Sequence, residues 1–178
     1  MHVWTVGHST RTAEEFIAVL GAYGVETVAD VRRFPGSRRY PHFAAEALAA
    51  LLRSRALEYV WLRKLGGRRR PTGSPTASAW RNPSFQAYAD YMLSEEFAEG
   101  LHELLHVAAG SRTAVMCSEL LWWRCHRSLI ADALLFNGTQ VTHILTASKS
   151  AEHPYTSPAR IVDGQLTYAA GEDQASGI

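Results

Sequence analysis

The sequence has little cysteine and no long hydrophobic run. Its only two cysteines, Cys117 and Cys125, are too few for a disulfide framework, and unpaired thiols are typical of the reducing cytoplasm. No stretch reaches the roughly 18 consecutive apolar residues that can span a bilayer, and the first residues lack the basic and cleavable segments of a signal peptide. We therefore expect a cytoplasmic protein without a membrane partner.

Charge is almost balanced, with a formal net charge of +1, but it is unevenly distributed. Residues 31–81 contain twelve Lys and Arg against two acids, whereas the rest of the chain has six against fifteen. A basic segment inside a neutral protein indicates a surface that binds a polyanion. A solvated charged surface with no partner explains the same pattern equally well.

Strand-like and helix-like segments alternate along the chain. Short apolar runs predict strands at 3–6, 27–31, 59–62, 113–116 and 141–145, and helical periodicity covers 13–23, 44–55, 85–109 and 124–137. An Asp-Gly pair predicts a small hairpin at 161–166. The fold class is therefore α/β: a single domain over residues 1–170 whose mainly parallel five-stranded sheet has helices on both faces, followed by a flexible tail at 171–178.

Polar side chains directly follow four of the five predicted strands. Open parallel sheets bind ligands beyond the carboxyl ends of their strands, so these segments should meet at one edge. They are residues 7–9 (GHS), 30–33 (DVRR), 63–64 (RK) and 117–119 (CSE).

Two carboxylates among these residues have the chemistry of an acid or base. Asp30 and Glu119 each end an apolar strand, where burial can raise a carboxyl pKa. His8 is a candidate to stabilise a departing anion. The alternative is structural, with one or both carboxylates held in ion pairs by neighbouring arginines.

The two cysteines allow a thiol site or a metal site. Cys125 is flanked by Arg124, His126 and Arg127, a positive setting that activates a thiol. Cys117, at a strand end, is placed as in rhodaneses and protein phosphatases, but no arginine stands six residues after either cysteine. Two buried, inert cysteines are the alternative.

Metal binding is not favoured by the sequence. Cys117, Cys125 and His126 lack the close cysteine spacing and the fourth ligand of structural zinc sites. Residues 102–106 (HELLH) match the HExxH pattern of zinc proteases, but that pattern supplies only two ligands. An exposed amphipathic helix explains it as well. We expect no metal and no cofactor.

The basic loops are suited to nucleic acid. Arginines bind phosphates, glycines let the backbone approach them, and aromatic rings stack on unpaired bases. The candidate DNA-binding residues are Arg38, Arg39, Tyr40, Arg68, Arg69 and Arg70.

Five motifs in this order resemble the family known as domain of unknown function 488. They are residues 6–11 (VGHSTR), 30–38 (DVRRFPGSR), 65–67 (LGG), 117–119 (CSE) and 125–128 (CHRS). The family is associated with DNA repair, and some members look like DNA glycosylases acting on modified pyrimidines such as 5-hydroxymethyluracil. The resemblance implies a site built from His8, Ser9, Asp30, Arg32, Arg33, Glu119, Cys125, His126 and Arg127. Residues 120–123 (LLWW) are less polar than is usual in such members, which bears on the base accepted.

Taken together, the sequence predicts a monofunctional DNA N-glycosylase, a hydrolase that flips a modified pyrimidine out of duplex DNA. Asp30, Glu119 and His8 would be catalytic. Substrate would be bound by Ser9, Arg32, Arg33, Cys117, Cys125, His126 and Arg127. The alternatives are a Cys/His-dependent enzyme of rhodanese or phosphatase type, and a nucleic-acid-binding module without catalysis. Because Lys64 is the one lysine near the motifs, an imine-forming lyase is not favoured.

Overall fold

A computed structural model describes residues 1–70 and 78–170. The strands are β1 His2–Gly7, β2 Thr27–Asp30, β3 Glu58–Trp61, β4 Thr113–Cys117, β5 Gln140–Ile144, β6 Ser150–Glu152, β7 Arg160–Val162 and β8 Gln165–Thr167. The α-helices are α1 Ala13–Ala22, α2 Ala45–Arg53, α3 Pro83–Tyr91, α4 Glu95–Gly110 and α5 Arg127–Phe136. Short 3₁₀ turns lie at Pro41–Phe43, Arg63–Leu65 and Trp122–Arg124. The predicted tail at 171–178 lies outside the described residues, as do residues 71–77 of the basic segment.

The main sheet has six strands in the order β3-β2-β4-β1-β5-β6. The first five are parallel to one another, and β6 is antiparallel to β5 at the edge. The predicted α/β fold with its mainly parallel sheet is therefore confirmed. The sixth strand is the difference: it has three residues, a length at which side-chain alternation carries almost no signal.

Helices cover both faces of the sheet, as predicted, and each face has its own core. Helices α1 and α2 pack on one face, where Phe16 and Leu48 meet Val28 of β2. Helices α3, α4 and α5 pack on the other face. The two central strands, β1 and β4, are buried along most of their length, which accounts for their nearly continuous apolar sequences.

Local sequence signals set several element boundaries. Thr12 and Glu15 form the capping box that begins α1. Ser94 caps α4, so the helical segment predicted at 85–109 is two helices, α3 and α4. The predicted start of the last helix was wrong by three residues: residues 122–124 form a 3₁₀ turn and Cys125 is extended, so α5 begins at Arg127.

A buried polar network attaches the segment after β5 to the rest of the domain. Asp132 of α5 accepts hydrogen bonds from His153 (2.9 Å), Tyr168 (2.8 Å) and Thr156, and His153 in turn contacts His143 of β5 at 2.9 Å. These buried groups satisfy one another. Beyond the network, β7 and β8 form the predicted Asp-Gly hairpin, with positive φ at both turn residues.

No helix in the described ranges is long and apolar enough to cross a membrane.

Candidate functional site

The strand order creates a crevice between β1 and β4. The chain leaves β1 through α1 on one face of the sheet, and it leaves β4 through α5 on the opposite face. Connections that diverge from adjacent parallel strands open a gap beyond their carboxyl ends, which is where open α/β sheets bind ligands.

A cleft of about 850 Å³ opens at this edge. Its walls are the turns after β1 and β4, the arginine-rich loop after β2, Gly67 and Arg68, the first turns of α3, and the turn before α5. The residues that line it include His8, Ser9, Arg32, Arg33, Phe34, Arg39, Tyr40, Arg68, Phe85, Tyr88, Cys117, Glu119, Arg124, Cys125 and His126. The segments that the sequence placed at one edge of the sheet do meet there, and the volume lies within the ~300–1,000 Å³ of small-molecule sites.

The turns after β1 and β4 are in direct contact. The backbone N–H of His8 donates to Cys117 O at 2.9 Å, and that of Ser9 donates to Ser118 O at 2.9 Å. A Cβ atom at Gly7 would lie 1.9 Å from the backbone oxygen of Glu119. Only glycine fits at position 7, so this close approach fixes the position of the 117–119 turn relative to His8.

His8 is buried in a position that keeps its ring neutral. The ring stacks on Phe43 with centroids 4.1 Å apart, and Nδ1 donates to Ser9 O at 3.0 Å. Its Nε2, left as the acceptor, is 3.4 Å from Nη1 of Arg32. Burial, followed by the neighbouring Arg32 charge, lowers the pKa of His8 to about 4. The residue therefore offers a lone pair or a hydrogen bond near neutral pH.

Asp30 is engaged in structure rather than exposed to the cleft. Its carboxylate is fully buried and is not among the groups that line the cleft. Oδ2 lies 2.6 Å from Nη2 of Arg32 and accepts from Tyr59 Oη at 2.8 Å, and Oδ1 accepts from the Arg32 backbone and Nε. The structural alternative raised from the sequence therefore describes Asp30 better than the catalytic one.

Arg32 is held in turn by Asp30. Burial opposes its charge, but hydrogen bonds and the ion pair with Asp30 outweigh burial and raise the pKa of the guanidinium. Nη1 also donates to Phe43 O at 2.8 Å. Arg32 thus presents a fixed positive charge at the base of the cleft, beside His8.

Glu119 is the carboxylate that lines the cleft. Its side chain is partly exposed, and Oε1 accepts from the Leu121 backbone N–H at 3.2 Å. Its backbone oxygen accepts from Arg127, which is 1% exposed and lies beneath the turn. Arg127 therefore supports the site from below, and this predicted substrate-binding residue is not among those that line the cleft.

The two cysteines and His126 form a cluster in the wall of the cleft. Their ligand atoms all lie within 4.8 Å of one another. Burial alone would raise the pKa of the Cys125 thiol, but a hydrogen bond from Cys117 and the Arg127 charge outweigh it and lower the pKa to about 6. The same hydrogen bond, with burial, raises the pKa of Cys117 to about 12. The hydrogen bond between the two thiols therefore favours loss of a proton from Cys125 over loss from Cys117.

The arginines of the basic segment do not all face the cleft. Arg39 and Arg68 line it with the predicted Tyr40, and both arginines are exposed. Arg38 and Arg70 are exposed but are not among the lining residues.

Arg69 was predicted to bind DNA, but its side chain makes contacts within the fold. It stacks on Tyr91 at 3.4 Å, and its guanidinium donates to the backbone oxygens of Lys64 and Gly66 at 2.9 Å. Such a guanidinium is held in the fold rather than free to bind a phosphate.

Arginine nonetheless dominates the charge of the cleft. Arg32, Arg33, Arg39, Arg68 and Arg124 line it, and Glu119 is the one acid among the described lining residues.

Several lining residues were not assigned to the site from the sequence. Phe34 is 65% exposed at the rim, and Phe85 and Tyr88 enter from α3. The signal for Phe34 was present, because an aromatic residue in an arginine loop is typical of nucleic-acid contacts. No sequence signal identifies Tyr88, because only tertiary packing brings α3 to this edge.

In the described part of the chain, the HELLH histidines belong to no group of three or more possible metal ligands. His102 and His106 are exposed on α4, and Glu103 pairs with Lys64 at 2.6 Å. Among residues 1–70 and 78–170, the cysteine–histidine cluster is the one group of three or more suitable side chains.

The fold and the cleft define an α/β protein with an arginine-rich site at the carboxyl edge of a parallel sheet. The sequence profile of the family described as Domain of unknown function DUF488 matches residues 12–134. This match spans more than half of the chain, so the protein belongs to that family. Comparisons with curated proteins and with solved structures gave no match.

Proposed function

We propose that the protein is a monofunctional DNA N-glycosylase that hydrolyses the glycosidic bond of a modified pyrimidine of the 5-hydroxymethyluracil type. The observation that carries the proposal is the composition of the cleft: five arginines, one accessible carboxylate and a neutral histidine surround a space of about 850 Å³. An anionic substrate with one extruded base suits such a site. The free thiols of both cysteines are consistent with a cytoplasmic location.

Glu119 is the residue we assign to the chemical step. Departure of a base leaves an electron-poor sugar, which a carboxylate stabilises directly or by orienting a water molecule for attack. The hydrogen bond from the Leu121 backbone to Oε1 holds the side chain in place. The departing base carries negative charge, and the positive Arg32 beside the neutral His8 can stabilise it.

The rim would hold the nucleic-acid backbone. Arg39 and Arg68 are exposed at the cleft and can bind phosphates on either side of the extruded nucleotide. Phe34, also at the rim, provides a surface on which a base can stack.

The test is incubation of the protein with duplexes that carry one modified pyrimidine each, followed by detection of abasic sites. Glu119→Gln should lose about 100-fold or more of the rate, since the proton-transfer and charge-stabilising roles of a carboxylate are worth that much, while duplex binding is kept. Glu46→Gln is the matched control, because Glu46 is exposed on α2. Absence of abasic sites across a broad lesion panel, with folded protein, would refute the proposal.

Binding gives an independent test of the rim. Each lost phosphate contact should lower the slope of log affinity against log salt by about 1, so Arg39→Gln and Arg68→Gln should each show this reduction. Arg55→Gln is the control: it belongs to the same basic segment but precedes β3, at the opposite edge of the sheet. Equal reductions in all three variants would mean that the cleft does not direct DNA binding.

A second candidate is a thiol enzyme of rhodanese or phosphatase type. It is favoured by Cys125, whose pKa is lowered to about 6 and which lines the cleft. This reading predicts thiocyanate formation from thiosulfate and cyanide, or hydrolysis of an aryl phosphate, with loss of activity in Cys125→Ser. Failure of both assays with reduced wild-type protein would eliminate it.

A further inference from the structure

The turn before α5 and the end of β4 bring two thiols and one imidazole together in the wall of the cleft. Cys117 Sγ, Cys125 Sγ and His126 Nδ1 all lie within 4.8 Å of one another. We propose that these three side chains bind one zinc ion, with its fourth coordination position open to the cleft. This inference is independent of the proposed glycosylase reaction.

The distances suit tetrahedral coordination. With Zn–S near 2.3 Å and Zn–N near 2.0 Å, two ligands of a tetrahedral ion lie roughly 3.5–3.8 Å apart. Cys125 Sγ and His126 Nδ1 are 3.6 Å apart. Closing the cluster on an ion therefore needs adjustments of about 1 Å at most, which a side-chain rotation supplies.

The hydrogen bonding of His126 leaves Nδ1, the nitrogen close to Cys125 Sγ, free to bind a metal ion. Nε2 is 3.1 Å from the backbone oxygen of Val31, which can only accept, so Nε2 carries the proton. Nδ1 then has the lone pair that a metal needs, and it faces the sulfurs. Metal-binding histidines usually have this second interaction, which fixes the tautomer and the ring orientation.

Gly67 lets the backbone pack closely against the face of the His126 ring. A Cβ atom at Gly67 would lie 2.7 Å from His126 Nδ1 and 3.0 Å from its Cε1. Any larger residue would displace the ring from its place beside the two sulfurs. Glycine at position 67 therefore fixes where the His126 ring lies, and with it the position of Nδ1.

The charge of the cluster also suits a divalent cation. Arg127 donates to Cys125 Sγ at 3.4 Å, and this positive partner supports a thiolate there. Binding would displace the proton of the Cys117 thiol to solvent and give a second thiolate. Two thiolates neutralise the charge of the ion, and a set of two sulfurs and one nitrogen selects zinc over the hard cations calcium and magnesium.

The open fourth position follows from the number of ligands. All three side chains line the cleft, and three protein ligands with one free position are the arrangement of zinc sites that bind water or substrate. The sequence did not favour this site because seven residues separate the cysteines. The 3₁₀ turn at Trp122–Arg124 and the extended Cys125 close that distance in space.

The test uses the reduced full-length chain without DNA, titrated with Zn²⁺ and, separately, with Co²⁺ as a spectroscopic probe. We expect one equivalent of zinc, an intense thiolate-to-cobalt absorption band, and a rise in melting temperature with zinc. Cys117→Ser, Cys125→Ser and His126→Gln should each weaken binding by about 100-fold or more, since loss of a ligand exceeds the ~10–100-fold cost of losing its second-shell partner.

The matched control is the double variant His102→Ala/His106→Ala, which removes the HELLH histidines and should bind zinc like the wild type. His126→Gln is the variant of choice if either serine variant fails to fold, because this side chain is only partly buried. Three results would overturn the proposal: no stoichiometric zinc in reduced protein, a cobalt spectrum without the thiolate band, or binding that is lost in the HELLH double variant but kept in His126→Gln.

Discussion

The Asp30–Arg32 pair makes a sharp prediction about stability. Asp30 is fully buried and Arg32 is 6% exposed, with three side-chain N–O contacts of 2.6, 2.9 and 3.1 Å between them. Asp30→Asn keeps the shape but removes the negative charge, so it leaves the guanidinium buried without a counter-charge. Removing one partner of a buried pair costs about 3–5 kcal/mol. We expect a loss of that size in the free energy of unfolding, when typical domains have only about 5–15 kcal/mol.

Urea denaturation monitored by circular dichroism measures this loss. Asp163→Asn is the matched control, because Asp163 is exposed in the β7–β8 turn and the change there should stay within about 0.5 kcal/mol. The double variant Asp30→Asn/Arg32→Met should lose less than the sum of the two single variants, since each single change leaves a buried group unpaired. A loss below about 1 kcal/mol for Asp30→Asn would refute the argument that this carboxylate is structural.

Three further predictions concern groups in or near the cleft. Gly67→Ala should displace His126 and cost about 1–3 kcal/mol of stability, as overpacking does, measured by thermal denaturation. In metal-free protein, alkylation of Cys125 by iodoacetamide should rise as pH increases through about 6, because the thiolate is the reactive form. The pKa of His8 is lower in the folded protein than in the unfolded chain, so acid favours unfolding. Lowering the pH from about 7.5 to about 5 should therefore reduce the free energy of unfolding by roughly 2 kcal/mol. His8→Gln should not show this part of the loss.

Each of these predictions has a control in the same chain. Gly36→Ala should be neutral, because a Cβ there meets nothing within 4 Å. Cys125→Ser leaves only Cys117, whose thiol pKa burial still raises, so it should alkylate slowly throughout the neutral range. His102→Gln, at an exposed site, should keep the full loss of stability at acid pH. The electrostatics described for the cleft would be contradicted by either of two results. One is a pH midpoint for Cys125 alkylation at the value of an ordinary thiol, and the other is an equal loss of stability at acid pH in His8→Gln and His102→Gln.

The fold was largely predictable because a parallel sheet buried on both faces has a plain sequence signature. The run from Val3 to Val6 is apolar except at Thr5, and Thr12 with Glu15 marks the start of the first helix without help from tertiary contacts. What the sequence could not supply was the path of residues 120–126. Nothing in a leucine–tryptophan run distinguishes a 3₁₀ turn from the first turn of a helix.

The sequence predicted where the site lies, but not which of its residues are structural and which face the cleft. Strand ends placed His8, Glu119 and Cys117 at one edge, and the structure places them there. Asp30 has the same sequence signal as Glu119, since both follow buried strands. Their difference arises from the direction of the side chain and from Tyr59 and Arg32, which enclose one carboxylate and leave the other accessible.

Strand β1 lies at the centre of the sheet but outside the residues matched by the family profile. The matched range is therefore shorter than the unit that folds. The match begins at residue 12 and ends at 134, yet β1 pairs with both β4 and β5, and β5 also lies outside it. A fragment cut to the matched range would keep β3, β2 and β4 but lose the other half of the sheet, which is β1, β5 and β6. The backbone groups of β4 that now bond to β1 would then face water or a second molecule. Because an unpaired strand edge can pair with another chain, such a fragment should aggregate.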